Sequence, residues 1–161
     1  MSTPIVIVGA GLAGTRAAEA IRQEGHDGPV LMLGAEPSWP YERPALSKQV
    51  LLEEDVAPSS LWLQPENFYR AHQIELRRGV EVNGLQLEQR LLWLASGESL
   101  SWDRLIIATG STPRVLGVPG AGLPGVRTLR TWEDAIAVRE QVKPGARIVV
   151  VGGGLLGLEV R

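Results

Sequence analysis

The chain has 161 residues, 44% hydrophobic and 21% charged, with a formal net charge of -2, a balance that fits a globular domain able to bury a core. Near-neutral charge leaves no electrostatic footprint for nucleic acid and no polybasic segment for a membrane surface, so neither is expected as a partner. The lack of cysteine excludes a disulfide, a thiolate metal ligand and a redox dithiol, and fits a cytoplasmic protein.

Ile5-Val6-Ile7-Val8 is a run of β-branched residues and reads as a buried parallel strand. No basic stretch precedes it, and it continues into glycines, so a signal peptide is not expected. No apolar run approaches membrane-spanning length. Gly9, Gly11 and Gly14 then form G-x-G-x-x-G, and Ala13 to Glu24 reads as a helix with Gly25 as its terminating residue. In such a motif the first glycine permits a tight turn, the second lets a pyrophosphate approach the backbone, and the third lets helix and strand pack closely. The helix start supplies free N–H groups to the phosphates.

Val30 to Leu33 reads as a second buried strand, completing a βαβ unit. Glu36 follows it, 22 positions after Gly14, where an acid can accept hydrogen bonds from a ribose or simply face solvent. Pro37 to Lys48 is a loop stiffened by three prolines. Its Arg43 and Lys48 could bind an anionic ligand, or the loop could be a rigid piece of surface.

Val50 to Asn67 reads as irregular, and Glu66 to His72 as a short helix. Ile74 to Arg77 and Val80 to Val82 read as short strands. Leu85 to Glu88, Leu91 to Leu94 and Leu100 to Trp102 suggest a small antiparallel meander with turns at Gln89-Arg90 and Ser96-Gly97. Arg104 to Ala108 reads as another buried strand. Its end, Ala108-Thr109-Gly110, lies where ligands meet an open α/β sheet. Ser111 to Gly125 carries three prolines and four glycines and reads as a linker. Val126 to Leu129 suggests a strand. Thr131 and Asp134 suggest a capping box opening a helix to about Val142, which Pro144-Gly145 breaks.

Ile148-Val149-Val150-Val151-Gly152-Gly153-Gly154-Leu155-Leu156-Gly157 repeats Ile5 to Gly14 with seven identities. Two such copies, each directly after a run that reads as a buried strand and each opening a helix, imply two dinucleotide sites, one per lobe. The sequence stops at Arg161, before a second βαβ unit could close, so the second site is expected to be cut short.

Other residues offer less. His26 and His72 have no ligand-spaced partner, so no metal site is expected. The serines lack a G-x-S-x-G elbow. Glu53-Glu54-Asp55 reads as solvated, and Arg77-Arg78 as either a docking patch for an acidic partner or a solvated strand end.

Two fingerprints on one chain point to flavoproteins that use a nicotinamide. The connecting motifs narrow this. Pro40-Tyr41-Glu42-Arg43-Pro44-Ala45-Leu46-Ser47-Lys48 resembles the P-Y-x-R-P-P-L-S-K segment of FAD-dependent pyridine-nucleotide reductases of the ferredoxin, rubredoxin and putidaredoxin reductase family. Ser60-Leu61-Trp62-Leu63, Asp103 to Gly110, Leu129 to Ala135 and Gly152 to Glu159 resemble that family in order. The resemblance spans nearly the whole chain. It argues against a disulfide reductase, for want of cysteines, and against a flavin monooxygenase, because of the Pro40 to Lys48 loop.

The resemblance implies an α/β fold: a Rossmann-like FAD-binding lobe over 1–113, with a parallel sheet and a small antiparallel meander, then a linker and the start of a second Rossmann-like, NAD(P)-binding lobe over 114–161. Gly9, Gly11, Leu12, Ala13 and Gly14 would hold the FAD pyrophosphate and Glu36 the adenosine ribose. Arg43 would lie along the cofactor and Lys48 beside the reactive edge of the flavin. Val82 would meet adenine, and Ala108, Thr109, Gly110 and Arg130 would flank FAD. Gly152, Gly154, Leu155, Leu156 and Gly157 would begin the NAD(P)H site. Glu159 would stand near the nicotinamide and Lys48, making these two the catalytic candidates. The implied activity passes electrons from NAD(P)H through FAD to a ferredoxin- or rubredoxin-type iron–sulfur partner. The expected chain is the N-terminal part of such a reductase, inactive without the remainder. The alternative is a nucleotide-binding or structural module without turnover.

Overall fold

The structure, a computed structural model, describes residues 3–160. They form two compact units, one reaching to Tyr41 and including Trp62–Gly110, the other comprising Glu42–Leu61 and the residues from Ser111 onward.

In the first unit, β1 (Ile5–Val8) leads through α1 (Leu12–Gln23) to β2 (Val30–Gly34). A long excursion to the second unit follows, with α2 (Gln49–Leu52) in it. The chain returns through α3 (Glu66–Ala71), β3 (Ile74–Arg78), β4 (Val82–Gln86), β5 (Leu91–Leu94), β6 (Ser99–Ser101) and β7 (Arg104–Ile107). Strands β3, β2, β1 and β7 form a parallel sheet in that order, with Val6 level with Leu31 on one side and Leu105 on the other. Strands β4, β5 and β6 form the antiparallel meander.

The sheet sorts its side chains by the two-residue period of a strand. Ile7, Val30, Met32 and Ile74 face one way and pack with Ala18 of α1 and Tyr69 of α3. Val6, Leu31 and Leu33 face the other way and pack with Leu92 and Leu94 of the meander. With both faces covered, β1 and β2 must be apolar throughout, which is why they read as continuous hydrophobic runs. Helix α1 ends as its sequence suggests. Gly25 takes φ +81°, its N–H donates to Arg22 O at 3.1 Å, and His26 N–H donates to Ile21 O at 3.2 Å, the paired bonds of a Schellman cap.

The second unit holds α2, two 3₁₀ turns at Arg43–Ser47 and Pro58–Leu61, α4 (Trp132–Gln141) and α5 (Leu155–Glu159). Val50 of α2 and Ala135 of α4 are fully buried. Arg139 on α4 donates to Val50 O at 3.2 Å and Glu53 O at 2.8 Å, taking up carbonyls at the end of α2. The capping box at α4 is present: Thr131 Oγ1 accepts from Asp134 N–H at 3.2 Å, and Asp134 Oδ2 accepts from Thr131 N–H at 2.9 Å.

Several expected elements differ. The strands expected at 80–82 and 85–88 are a single strand, β4, and the irregular stretch from Val50 contains α2 and a 3₁₀ turn. Strand β7 is not buried: Arg104 is exposed and Ile107 is 64% exposed, because β7 has only β1 as a neighbour among the described residues. No strand forms at 126–129 or 148–151. Val149 and Val151 are 86% and 71% exposed. A parallel strand needs a flanking ladder to satisfy its backbone, and none lies beside these segments among the described residues.

One side chain ties the far end of the first unit together. Arg22 donates to His72 O at 2.8 Å, His26 O at 2.6 Å, Gly28 O at 2.8 Å and Gln73 O at 2.6 Å. It therefore clamps the turns that lead into β2 and β3. Arg22→Met keeps most of the stem and removes the donors. It should lower stability by about 2 kcal/mol, read as a lower urea midpoint with an unchanged slope. An unchanged midpoint would show that the clamp is dispensable.

Candidate functional site

The first fingerprint sits at the carboxyl ends of β1, β2 and β7. Gly9 N–H donates to Leu33 O at 2.8 Å, and Ala108 N–H donates to Val8 O at 2.7 Å. Gly9 has φ +113°, and a Cβ built there would overlap the carbonyl of Ala108 and stand 2.9 Å from Thr109 N. A side chain is thus excluded by conformation and by space. Gly14 meets the same turn from α1. Its Cβ would overlap the carbonyl of Gly9 and stand 3.4 Å from Ile7 Cγ2, which lets α1 lie directly on β1.

Gly11 is different. Its φ is −84° and a Cβ there would meet nothing within 4 Å. The first bond of the α1 ladder runs from Thr15 N–H to Gly11 O at 3.0 Å, so the N–H groups of Leu12, Ala13 and Gly14 precede it. No acid occupies the first turn, and Leu12 and Ala13 are exposed. Open space before Gly11 and unladdered N–H groups at a positive helix end form a cradle that fits a pyrophosphate.

Glu36 lies just beyond β2, at the same end of the sheet. Tyr41 donates its hydroxyl to Glu36 Oε2 at 2.6 Å. Tyr41 is buried and bridges to Trp62, with Leu63 N–H donating to Pro40 O at 2.8 Å. Val82 opens β4 and is half-buried. Thr109 and Gly110, at φ +73°, leave β7. Gly9 to Gly14, Glu36 and Ala108 to Gly110 thus gather at the end of the sheet where ligands of open α/β folds bind.

The second unit repeats the local geometry of the fingerprint. Gly152 has φ +119°, and Gly154 caps α5 at φ −75°. A Cβ on Gly157 would overlap the carbonyl of Gly152 and stand 3.3 Å from Val150 Cγ1. Leu158 N–H donates to Gly154 O at 3.1 Å, and Leu155 and Leu156 are exposed.

The same unit brings together residues far apart in sequence. Lys48 Nζ is 3.5 Å from Glu159 Oε1, and Ser47 Oγ donates to Glu159 Oε2 at 2.7 Å. The Ser47 hydroxyl is the leading cause that holds the Glu159 carboxyl below its ordinary value; desolvation opposes it, and the Lys48 ammonium adds a lesser lowering. Arg43 Nη1 donates to Arg130 O at 2.6 Å, and Arg130 N–H donates to Asp134 Oδ2 at 2.9 Å.

Sequence reasoning assigned no role to Tyr41 or Ser47, although both lie in the Pro40 to Lys48 segment it singled out. A side chain's partner there is invisible until the fold brings Glu36 or Glu159 to it. The arginine pair at the end of β3 is engaged locally. Arg77 meets Glu75 at 2.7 Å and Glu98 at 3.2 Å, while Arg78 donates to Pro37 O at 3.0 Å and stacks 4.1 Å over Trp39. His72 lies against Phe68, with Nδ1 2.9 Å from Phe68 O. Among the described residues no group of His, Asp or Glu could hold a metal ion, and no helix is long and apolar enough to cross a membrane.

Residues 3–160 match the family described as pyridine nucleotide-disulphide oxidoreductase. The chain belongs to this family. The disulphide of that description has no counterpart here, since the chain has no cysteine. Among its relatives is the ferredoxin–NAD(+) reductase subunit of the benzene 1,2-dioxygenase system of Pseudomonas putida, 41% identical over 99% of this chain and 38% of that protein. The rubredoxin–NAD(+) reductase of Pseudomonas putida is 40% identical over 97% of this chain and 40% of its own length. In structure the chain is similar to the ferredoxin reductase for the CYP199A2 system from Rhodopseudomonas palustris, at a TM-score of 0.92 and 36% identity, covering 99% of this chain and 39% of the other. The chain thus spans about two fifths of the length of these proteins.

The two glycines of the first cradle should separate in their effects. Gly14→Ala forces a methyl onto the Gly9 carbonyl and should cost about 2–3 kcal/mol. Gly11→Ala points into open space and should cost about 1 kcal/mol or less. Equal losses in chemical denaturation would contradict this account of the two positions.

Proposed function

We propose that this chain is the FAD-binding first part, and the start of the NAD(P)-binding part, of a flavoprotein reductase that passes electrons from NAD(P)H to a ferredoxin- or rubredoxin-type iron–sulfur carrier. The observation that carries the reading is the Gly9 to Gly14 cradle: unladdered N–H groups and open space before Gly11, with Glu36 at the neighbouring strand end. Family membership and relatives named as ferredoxin and rubredoxin reductases support it.

In this reading residues 1–113 supply the FAD lobe and 114–161 the linker and the beginning of the nicotinamide lobe. Gly9, Gly11, Leu12, Ala13 and Gly14 hold the pyrophosphate of FAD by backbone approach. Glu36, oriented by Tyr41, accepts from the adenosine ribose. Val82, Ala108, Thr109, Gly110, Arg43 and Arg130 complete the cofactor's surroundings. Gly152, Gly154, Leu155, Leu156 and Gly157 open the NAD(P)H site, and Lys48 with Glu159 sets the charge where the hydride is received. Bound FAD would supply the switch from two-electron to one-electron transfer; the protein's part is to bind, orient and tune. A cytoplasmic setting suits a user of reduced nicotinamide.

A second reading has its own support. The exposed Val149 and Val151 beside the second fingerprint leave that copy without its sheet, which favours a nucleotide-binding module without turnover for residues 1–161 by themselves.

FAD binding and catalysis can be tested separately. The purified chain, mixed with FAD and desalted, should remain yellow, and Gly11→Ala should emerge colourless while still folded. Colourless wild-type protein would overturn the FAD assignment. Retained flavin that NADH does not bleach would favour the second reading for this chain. In the full-length reductase, Lys48→Ala should slow flavin reduction by about tenfold, equivalent to about 1.4 kcal/mol of barrier; unchanged stopped-flow reduction would remove Lys48 from that role.

A further inference from the structure

Glu159 is held by two groups from one short segment 112 residues earlier in the chain, and they are not equivalent. The Ser47 contact is 2.7 Å long and comes from a residue only 2% exposed. The Lys48 contact is 3.5 Å long, and the lysine side chain is 55% exposed. A short hydroxyl-to-carboxylate bond from a fixed donor is directional and charge-assisted. A long ion pair from a mobile, solvated ammonium is worth little and is weakened further by salt.

The donor is fixed by its surroundings. Ser47 closes the 3₁₀ turn Arg43–Ser47, which has Pro44 near its start, and Lys48 N–H donates to Ala45 O at 3.1 Å just after it. Ser47 Oγ also lies 3.4 Å from Pro44 O. A hydroxyl has a single proton to give, and the 2.7 Å carboxylate is much the better acceptor.

We propose that Ser47 is the positioning residue of the Lys48–Glu159 pair: its buried hydroxyl takes Glu159 Oε2 and thereby presents Oε1 to the lysine. Lys48 is then the guest in a geometry that the serine sets. The lowering of the Glu159 carboxyl agrees, since Ser47 is its leading cause and Lys48 a lesser one. The sign follows from the direction of that shift. The contact is complete at neutral pH and is lost only as the pH falls through the lowered value of Glu159.

The consequence for catalysis rests on the flavin reading above; the positioning itself does not. The test therefore uses the 161-residue chain without nucleotide, following the Glu159 side-chain carboxyl carbon by NMR across an acid titration. Ser47→Ala should raise the Glu159 midpoint toward the ordinary glutamate value, Ser47→Thr should restore the lowering, and Lys48→Met should raise it by less than Ser47→Ala does. A larger rise in Lys48→Met, or none in Ser47→Ala, overturns the proposal. If Ser47→Ala does not fold, Lys48→Met alone decides: a Glu159 midpoint that stays low supports the serine, and one that returns to the ordinary value overturns it. Because no flavin is present, these results stand whether or not the chain binds FAD, which the desalting experiment decides separately.

Discussion

The carbonyl of Gly9 stands where a side chain on residue 14 would begin, and a side chain on residue 9 would fall on the carbonyl of Ala108. These two exclusions set the first unit. They let α1 descend directly onto β1 and let the end of β7 close against the turn between them. With α1 in place, Ala18 reaches Ile7, Val30 and Met32 on one face of the sheet, while the opposite residues of β1 and β2 are left for Leu92 and Leu94 of the meander. The same close crossing brings the start of α1 beside the carboxyl ends of three parallel strands. The cradle is thus a by-product of how tightly the helix packs: Gly9 and Gly14 make the close crossing, and Gly11 leaves the space at the helix start open.

The second copy separates what is local from what is not. Gly152, Gly154 and Gly157 adopt the same turn, the same helix start and the same carbonyl crossing as Gly9, Gly11 and Gly14, yet no strand forms before them. Ten residues therefore encode the turn by themselves, since it depends on φ and on contacts five residues apart. A strand needs partners from elsewhere in the chain to satisfy its backbone. This is why β1, with β2 and β7 on either side, is buried while Val149 and Val151 are exposed.

The same distinction governs what could be read from the sequence. Strand β1, helix α1, its Gly25 cap, β2 and the Thr131–Asp134 capping box were legible because each is decided within a few residues by apolar pattern, cap chemistry or glycine conformation. The run 126–129 forms no strand, because an apolar stretch does not reveal whether a ladder will flank it, and 80–82 with 85–88 merge, because two short apolar runs can be one strand with a bulge, as at Val82 and Gly84. At the candidate site, the glycines and Glu36 announced themselves by spacing. Their side-chain partners did not. The Tyr41 hydroxyl reaches back to Glu36 across the turn after β2, which no spacing rule covers, and the Ser47 hydroxyl meets Glu159 across 112 residues, where no local rule pairs a serine with so distant a glutamate.

FAD is proposed to sit at the first fingerprint rather than at its repeat. Amide chemical shifts of the ¹⁵N-labelled chain, followed while FAD is added, test this at the residues concerned. The account predicts that the amides of Gly11, Leu12, Ala13 and Gly14 move and saturate together, while those of Gly154, Leu155, Leu156 and Gly157 stay in place. Shifts confined to the second set, or none at either, would contradict it.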